Sequence, residues 1–363
     1  MRMVYLDKIV IGKQLARSIF GLDGQVLLHA GVTLTGKYVE RLLSKGYRSV
    51  YIHDEFTRGI AVDDIISDET RHRAVQAVKE TMEKYEKGET IDSLKIKDSV
   101  RQIIEELQSN SGILAGLSTI RCFDDYTFAH SVNVCTLSLV LGISLYYDYD
   151  QLYELGVGAM LHDIGKTQVP VAVLQKEAKL TEEEWLTIKK HPDFGFDILR
   201  QHFDISLLSA HIAFQHHERI DGSGYPRGLG ADDILETAKI AAIADVFDAI
   251  TNDRVYRPRL PLNEAYNVML KAMGTQFDRQ LVRRFLDRVV LYPNGTIVRL
   301  SSGQIGVIAR QEEQFNYRPV VRVITDRYQR PLFEWQEIRL TERPELEIVE
   351  VLPDYPFAVS DRQ

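Results

Sequence analysis

Apolar positions recur three and four residues apart through the middle of this chain, and cluster in short runs broken by turn residues near its two ends. The helical period is strongest in residues 113–290, where SVNVCTLSLVLG, LYELGVGAMLHDIG, LLSAHIAFQHHE and AKIAAIADVFDAI predict a helical block. Residues 62–112 keep the same period in a highly charged background. RHRAVQAVKETMEKYEKGE and IKDSVRQIIEELQSN predict two helices joined at Gly88, either solvated helices packing on the next domain or a dimerising helical linker. Residues 1–61 predict a small α/β unit of structural or regulatory character. Asp23-Gly24 marks a hairpin turn, Tyr38, Val39, Leu42 and Leu43 have helical spacing with Gly46 as the stop, and Ser49 to Ile52 is a strand. In residues 291–363 the turn pairs Asn294-Gly295 and Ser302-Gly303 separate TIVRL, IGVIA and PVVRVIT. These predict a small β-barrel or sandwich, with a loose tail after Pro353. The expected fold is multidomain and predominantly α.

A chain of 363 residues is too long for one small core and fits two or three domains. The net charge of −8 argues against a broad nucleic-acid-binding face. An anionic ligand would need a local positive pocket. Cys122 and Cys135 match no zinc spacing and read as reduced thiols. The first twenty residues alternate apolar with charged positions, unlike a signal peptide. No run approaches the ~20 apolar residues of a membrane span. A cytoplasmic protein without membrane insertion is expected.

Five of the ten histidines then change the picture: His130, His162, His191, His216 and His217, with Asp163 and Asp245. Each has a plain alternative. His130 opens an apolar helix and could be a core or capping histidine. His162 and Asp163 end an apolar helix, where adjacent positions ~100° apart can border one cavity, and Gly165 would stop that helix and bring Lys166 round. His191 precedes Pro192, which favours extended or turn geometry and an exposed site. His216-His217 could be an exposed polar helix end. Asp245 lies in an Ala/Ile helix, where a buried salt bridge or a metal would neutralise it. One shared metal centre satisfies all seven. Imidazole with carboxylate suits Fe, Mn, Zn or Co, and the set is large enough for two ions of the kind that hydrolyse phosphate esters.

In order and spacing, His130, His162-Asp163, His191, His216-His217 and Asp245 resemble the HD-domain metal-dependent phosphohydrolases. HHERIDGSGYP, ending at Gly224, Tyr225 and Pro226, is similar to the HD-GYP subfamily, as are DYTFAHS, LHDIGK and DVFDAITNDRVYR. The likeness covers residues 119–290. It implies an all-helical HD core that hydrolyses cyclic di-GMP to linear pGpG, and onward to GMP, in bacterial second-messenger signalling. It also implies one ion on His130, His162, Asp163 and Asp245, a second on His191, His216 and His217, and Asp163 bridging them, with Fe or Mn as the metal. Members with a third metal carry Glu four residues before the first histidine. Tyr126 stands there, so two divalent ions are expected and pGpG is the main product. A metal-bridging hydroxide would attack phosphorus, with Lys166 steadying the phosphate. Arg254 and Arg257 would hold substrate, and the loop of Asp221, Gly224, Tyr225 and Pro226 would shape the site, with Asp221 orienting the loop. The alternatives are a phosphodiesterase for another cyclic dinucleotide such as cyclic GMP-AMP, or a non-catalytic cyclic di-GMP receptor or scaffold. A homodimer or a signalling-protein partner is also open.

Overall fold

The fold is described from a computed structural model, which covers residues 1–6, 10–21, 25–45, 47, 49–62, 65–109, 126–176, 178–252, 260–312 and 317–352. Asp23-Gly24, Gly46, Cys122, Arg254, Arg257, the tail after 352 and the side chain of Tyr126 lie outside the described residues. The chain forms two compact units. One gathers described residues of Met1–Asp64 and Val289–Gln363, the other those of Ile65–Ala115 and Asp125–Arg288.

The first unit begins with β1 (Arg2–Tyr5), β2 (Ile19–Phe20), β3 (Val26–Leu28), α1 (Gly36–Ser44) and β4 (Ser49–Ile52). Strands β1 and β4 pair antiparallel, as do β2 and β3. Thr35 starts α1 by accepting a hydrogen bond from the Tyr38 N–H. Leu15, Leu34, Leu42, Val50 and Ile52 form the local core. The same unit holds β5 (Ile297–Leu300), β6 (Ile305–Arg310), β7 (Val320–Thr325), β8 (Pro331–Arg339) and β9 (Ile348–Leu352), an antiparallel sheet in the order β8-β7-β6-β5-β9. Asn294-Gly295 and Ser302-Gly303 stand at its turns. The central strands read as continuous apolar runs because both faces are covered. Ile297, Ile305, Val307 and Ile324 pack with Phe56 and Ile60 on one face, while Val298, Leu300, Ile308, Val321 and Leu340 pack on the other. Among the described residues β8 and β9 remain separate edges, so the sheet is open where a barrel or sandwich was expected.

The second unit is all helical: α2 (Asp68–Glu86), α3 (Ser93–Ser109), α4 (Tyr126–Ser144), α5 (Tyr149–Met160), α6 (Val171–Leu174), α7 (Glu182–Ile188), α8 (His191–Leu199), α9 (Leu207–Gln215), α10 (Glu236–Thr251), α11 (Leu262–Ala272) and α12 (Arg279–Arg288). Helix α4 is its axis. Val132, Val134, Leu137, Leu139 and Leu141 are all buried, and so are the small polar residues Ser131, Thr136 and Ser138 between them, so the helix takes neighbours on every side. Helices α2, α5, α10 and α12 pack against it, and α9 packs on α5. The charged helices α2 and α3 keep one apolar stripe each, with Ala74, Val78, Val100, Ile103 and Leu107 buried against α4 and α5. Cys135 is buried within α4. Among the described residues no helix is long and apolar enough to cross a membrane.

Phe285 of α12 meets Phe247 of α10 edge to face at 5.1 Å, both rings buried. Phe285→Ala should destabilise the helical unit by about 3–5 kcal/mol, read as a lowered urea midpoint of the far-UV helix signal. A loss below ~1 kcal/mol would show that this contact does not hold α10 in place.

Candidate metal centre

Five helices deliver the seven residues to one buried pit. His130 lies on α4, one turn inside a helix that begins at Tyr126 rather than at the histidine. Helix α5 ends at Met160, so His162 and Asp163 sit in the turn just beyond it, and the 3₁₀ turn Ile164–Gln168 then carries Lys166. Gly165 therefore does not stop the helix. It permits close approach instead, because a Cβ there would lie 2.0 Å from the His191 carbonyl oxygen and 2.4 Å from the Gly195 nitrogen. His191 is the first residue of α8, not an exposed turn. Pro192 is tolerated in a first helical turn, where its missing N–H would have had no partner. His216 caps α9 and is buried, with His217 next to it, and Asp245 lies midway along α10.

A repeated local device aims the rings. The Nδ1–H of His162, His191 and His216 donates to the carbonyl three residues back, Ala159, Ile188 and Ala213, at 2.8, 2.7 and 2.9 Å. A carbonyl only accepts, so these rings carry their proton on Nδ1 and present Nε2 as a lone pair. His130 is oriented by Asp248, whose Oδ2 lies 2.6 Å from its Nδ1. Asp248 is itself fixed by the amides of Asn133 and Asn252 at 2.8 and 2.6 Å.

Asp163 stands between two groups of rings. Its Oδ2 lies 3.4 Å from His162 Nε2 and 3.9 Å from His130 Nε2. Its Oδ1 lies 3.4 Å from His191 Nε2 and 3.9 Å from His216 Nε2. Asp245 Oδ1 lies 3.1 Å from His130 Nε2. Three sets bring their donor atoms within 4.8 Å of one another: His130, His162 and Asp245; His162, Asp163 and His216; and His191, His216 and His217. The Lys166 ammonium contacts Asp163 Oδ2 and remains about one-third exposed.

These residues fit metal cations. His191 Nε2 and His216 Nε2 face each other at 3.3 Å, two lone pairs that repel unless something positive lies between or beside them. His162 Nε2 and Asp163 Oδ1 are buried and make no hydrogen bond. Orphaned atoms of this kind are costly in a dry interior. Burial pushes the ring pKa of His191 down to about 4 and of His217 to about 3, and holds His216 well below the ordinary range, so all three rings are neutral ligand forms at neutral pH. For Asp163 burial works the other way, but Lys166, His162 and His191 outweigh it and hold the carboxyl well below its usual range. Burial also opposes a charged His130, yet Asp245 and Asp248 keep its pKa up at about 9.

The loop from Asp221 to Pro226 rims the pit. Asp221 is exposed and accepts from the Ser223 N–H and hydroxyl, so it shapes the loop and does not reach the histidines. Gly224 passes so close to residues 217–219 that a Cβ would lie 2.4 Å from the Arg219 nitrogen and 2.6 Å from the His217 oxygen. Tyr225 donates its N–H to that oxygen, stacks on the His217 ring at 4.7 Å and joins Pro226 through a cis peptide. Glu218 was not singled out from sequence. It is buried and accepts from the N–H groups of Arg227 and Leu229, tying the far end of the loop down. Asp248 was also missed, although it lies one helical turn after Asp245 on the same face, a spacing the sequence displays.

A helical unit built around a buried histidine–aspartate cluster is the arrangement of a metal-dependent hydrolase domain. A family model for the HD domain matches residues 99–281, and one for a KOW domain associated with HD domains matches 297–357. The chain belongs to the HD-domain family, in its HD-GYP branch. Over 264 residues it is 36% identical to the cyclic di-GMP phosphodiesterase PA4108 of Pseudomonas aeruginosa, covering 71% of this chain and 64% of that protein. It is 38% identical over 166 residues to 3'3'-cGAMP-specific phosphodiesterase 1 of Vibrio cholerae, covering 46% and 38%, and 43% identical over 134 residues to a cyclic di-GMP phosphodiesterase of Thermotoga maritima, covering 37% and 36%. The chain thus spans less than two thirds of the length of these curated relatives. Among solved structures, Bd1817, an HDG"Y"P protein from Bdellovibrio bacteriovorus, shares the fold at TM-score 0.51 and 22% identity, over 78% of this chain and 98% of that one.

Gly165→Ala should cost about 1–3 kcal/mol or more, because the new methyl meets backbone that cannot rotate away. A thermal melt unchanged from the parent would show that the approach of the 162–168 turn to α8 is looser than described.

Proposed function

We propose that this protein is a divalent-metal-dependent cyclic di-GMP phosphodiesterase that opens the ring to linear pGpG. The observation that carries the reading is Asp163, with its two oxygens directed to separate histidine groups. In this assignment His130, His162, Asp163 and Asp245 would hold one ion, His191, His216 and His217 would hold a second, and Asp163 would serve both. Fe or Mn suits the mixed imidazole and carboxylate set. When bound, such a pair supplies Lewis acidity, lowering the pKa of a water and offsetting charge on the phosphoryl oxygens. The relatives named as cyclic di-GMP phosphodiesterases support the substrate.

The protein's own groups then have defined tasks. Asp248 fixes the His130 ring, and the carbonyls of Ala159, Ile188 and Ala213 fix three others, so the lone pairs are aimed before any ligand arrives. Lys166 places an ammonium at the mouth of the pit, where a phosphate oxygen gains a point charge and a donor. Tyr225 braces His217 from the loop side. Arg254 and Arg257 are proposed as further phosphate or guanine contacts.

A second reading, cleavage of a mixed guanine–adenine cyclic dinucleotide, is favoured by relatives named 3'3'-cGAMP-specific phosphodiesterases at 38% and 35% identity. Turnover of cyclic di-GMP, cyclic GMP-AMP and cyclic di-AMP under one set of conditions separates the two. A receptor without catalysis fits less well, because all seven candidate ligands are present and converge.

Anaerobically purified protein should carry about two divalent ions per chain, and pGpG should be the first product. Asp163→Ala should lose both the metal and the turnover. Metal retained in that variant would refute the bridging role. Asp248→Asn should weaken metal affinity about 10–100-fold while leaving the fold intact. An unchanged metal isotherm would mean that the orientation of His130 does not depend on Asp248.

A further inference from the structure

We infer that Trp185 and Lys189 form a purine-reading wall beside the metal centre. One base of the substrate stacks on Trp185, and the Lys189 ammonium donates to acceptor atoms on the base edge. The inference rests on the cyclic dinucleotide reading above and names what selects the base.

The rings lead outward in a chain. Tyr225 stacks on His217 at 4.7 Å, and Trp185 meets Tyr225 edge to face at 6.5 Å. Trp185 is 45% exposed, a large aromatic surface left open on a short helix beside exposed Leu186 and the solvated Glu182 and Glu183. Lys189 Nζ lies 5.1 Å from the Tyr225 ring centre and 5.7 Å from that of Trp185. Among the described residues it has no carboxylate within 4 Å, whereas Lys166 is paired with Asp163 and Lys176 with Glu184. A cation held over two aromatic faces and not paired with a carboxylate keeps its N–H donors open to a ligand.

The wall is also held firmly. Thr181 and Glu184 form a reciprocal cap at the start of α7, and Lys176 binds both Glu184 oxygens at 2.7 and 2.6 Å. At the other end the Ile188 carbonyl accepts from His191 Nδ1–H at 2.7 Å. One candidate metal ligand is therefore hydrogen-bonded to the residue next to Lys189, so the position of the wall is tied to the phosphate-cleaving centre.

Every base has a stacking face, so Trp185 supplies affinity without choice. Lys189 supplies the choice. An ammonium only donates, and guanine offers two acceptors, O6 and N7, where adenine sets an amino donor beside N7. The wall therefore favours guanine.

The test uses the chain's two tryptophans. Trp335→Phe leaves Trp185 as the sole reporter, and rapid mixing of the metal-loaded protein with cyclic di-GMP or cyclic di-AMP reads binding ahead of turnover. Both ligands should quench Trp185, with cyclic di-GMP binding about tenfold more tightly. In the same background Lys189→Met should remove most of that preference by weakening cyclic di-GMP, and Lys189→Arg, which also donates to guanine, should restore it. Equal weakening of both ligands by Lys189→Met would overturn the inference, since Lys189 would then serve only the phosphates. Hydrolysis of cyclic di-GMP without quenching of Trp185 would also overturn it and leave the proposed activity standing. Neither quenching nor hydrolysis in loaded protein would overturn both.

Discussion

The structure is organised around one buried carboxylate. Asp163 is 1% exposed, lies in a pit of imidazoles and keeps its Oδ1 without a hydrogen bond. Desolvating a carboxylate is expensive, and one lysine on Oδ2 leaves Oδ1 uncompensated. Lys166, His162 and His191 favour the charged carboxylate, yet His162, His191 and His216 also turn their Nε2 lone pairs toward it. Such an arrangement favours further positive charge in the pit. The packing of the surrounding helices holds these mutually repelling atoms together. This is electrostatic preorganisation built from backbone carbonyls, a device that needs no long side-chain network.

The packing of the helical unit follows from the same requirement. Helix α4 is buried on every side among the described residues, so α5 and α10 can pack closely enough to bring His162, Asp163 and Asp245 against His130. Gly165 lets the turn after α5 touch the backbone of α8, which sets the distance from Asp163 to His191. Glu218 pins the loop that follows His217 by accepting two backbone N–H groups, so the ring stacked on that histidine has a fixed place. The five-stranded sheet contributes none of these atoms. Its chemistry is apolar, with both faces of its central strands covered.

Much of this was legible in the chain. The 3.6-residue period placed α4, α5, α9 and α10, and the turn pairs at 294–295 and 302–303 bracketed β5 and marked the start of β6. The candidate ligand set stood out because seven separately ordinary residues had one common explanation, and the fold brings all seven to one pit. What escaped was whatever depends on partners distant in sequence. Pro192 argued locally against a helix, yet the first turn of α8 accepts it. Gly165 read as a stop signal, but its role is set by a backbone 26 positions away. Glu218 carried no signal of its own in the chain, because its burial comes from the loop whose Arg227 and Leu229 N–H groups it accepts. Strands β8 and β9 are mostly exposed edges, and so lack the alternation that marks a half-buried strand.

Anomalous diffraction from crystals of the manganese-loaded protein addresses the shared, carboxylate-bridged pair of ions most directly. The account predicts two peaks about 4 Å apart, one on the His130–Asp245 side of Asp163 and the other on the His191–His216–His217 side, each within bonding distance of a different Asp163 oxygen. A single peak, or two peaks that both leave Asp163 uncoordinated, would contradict it.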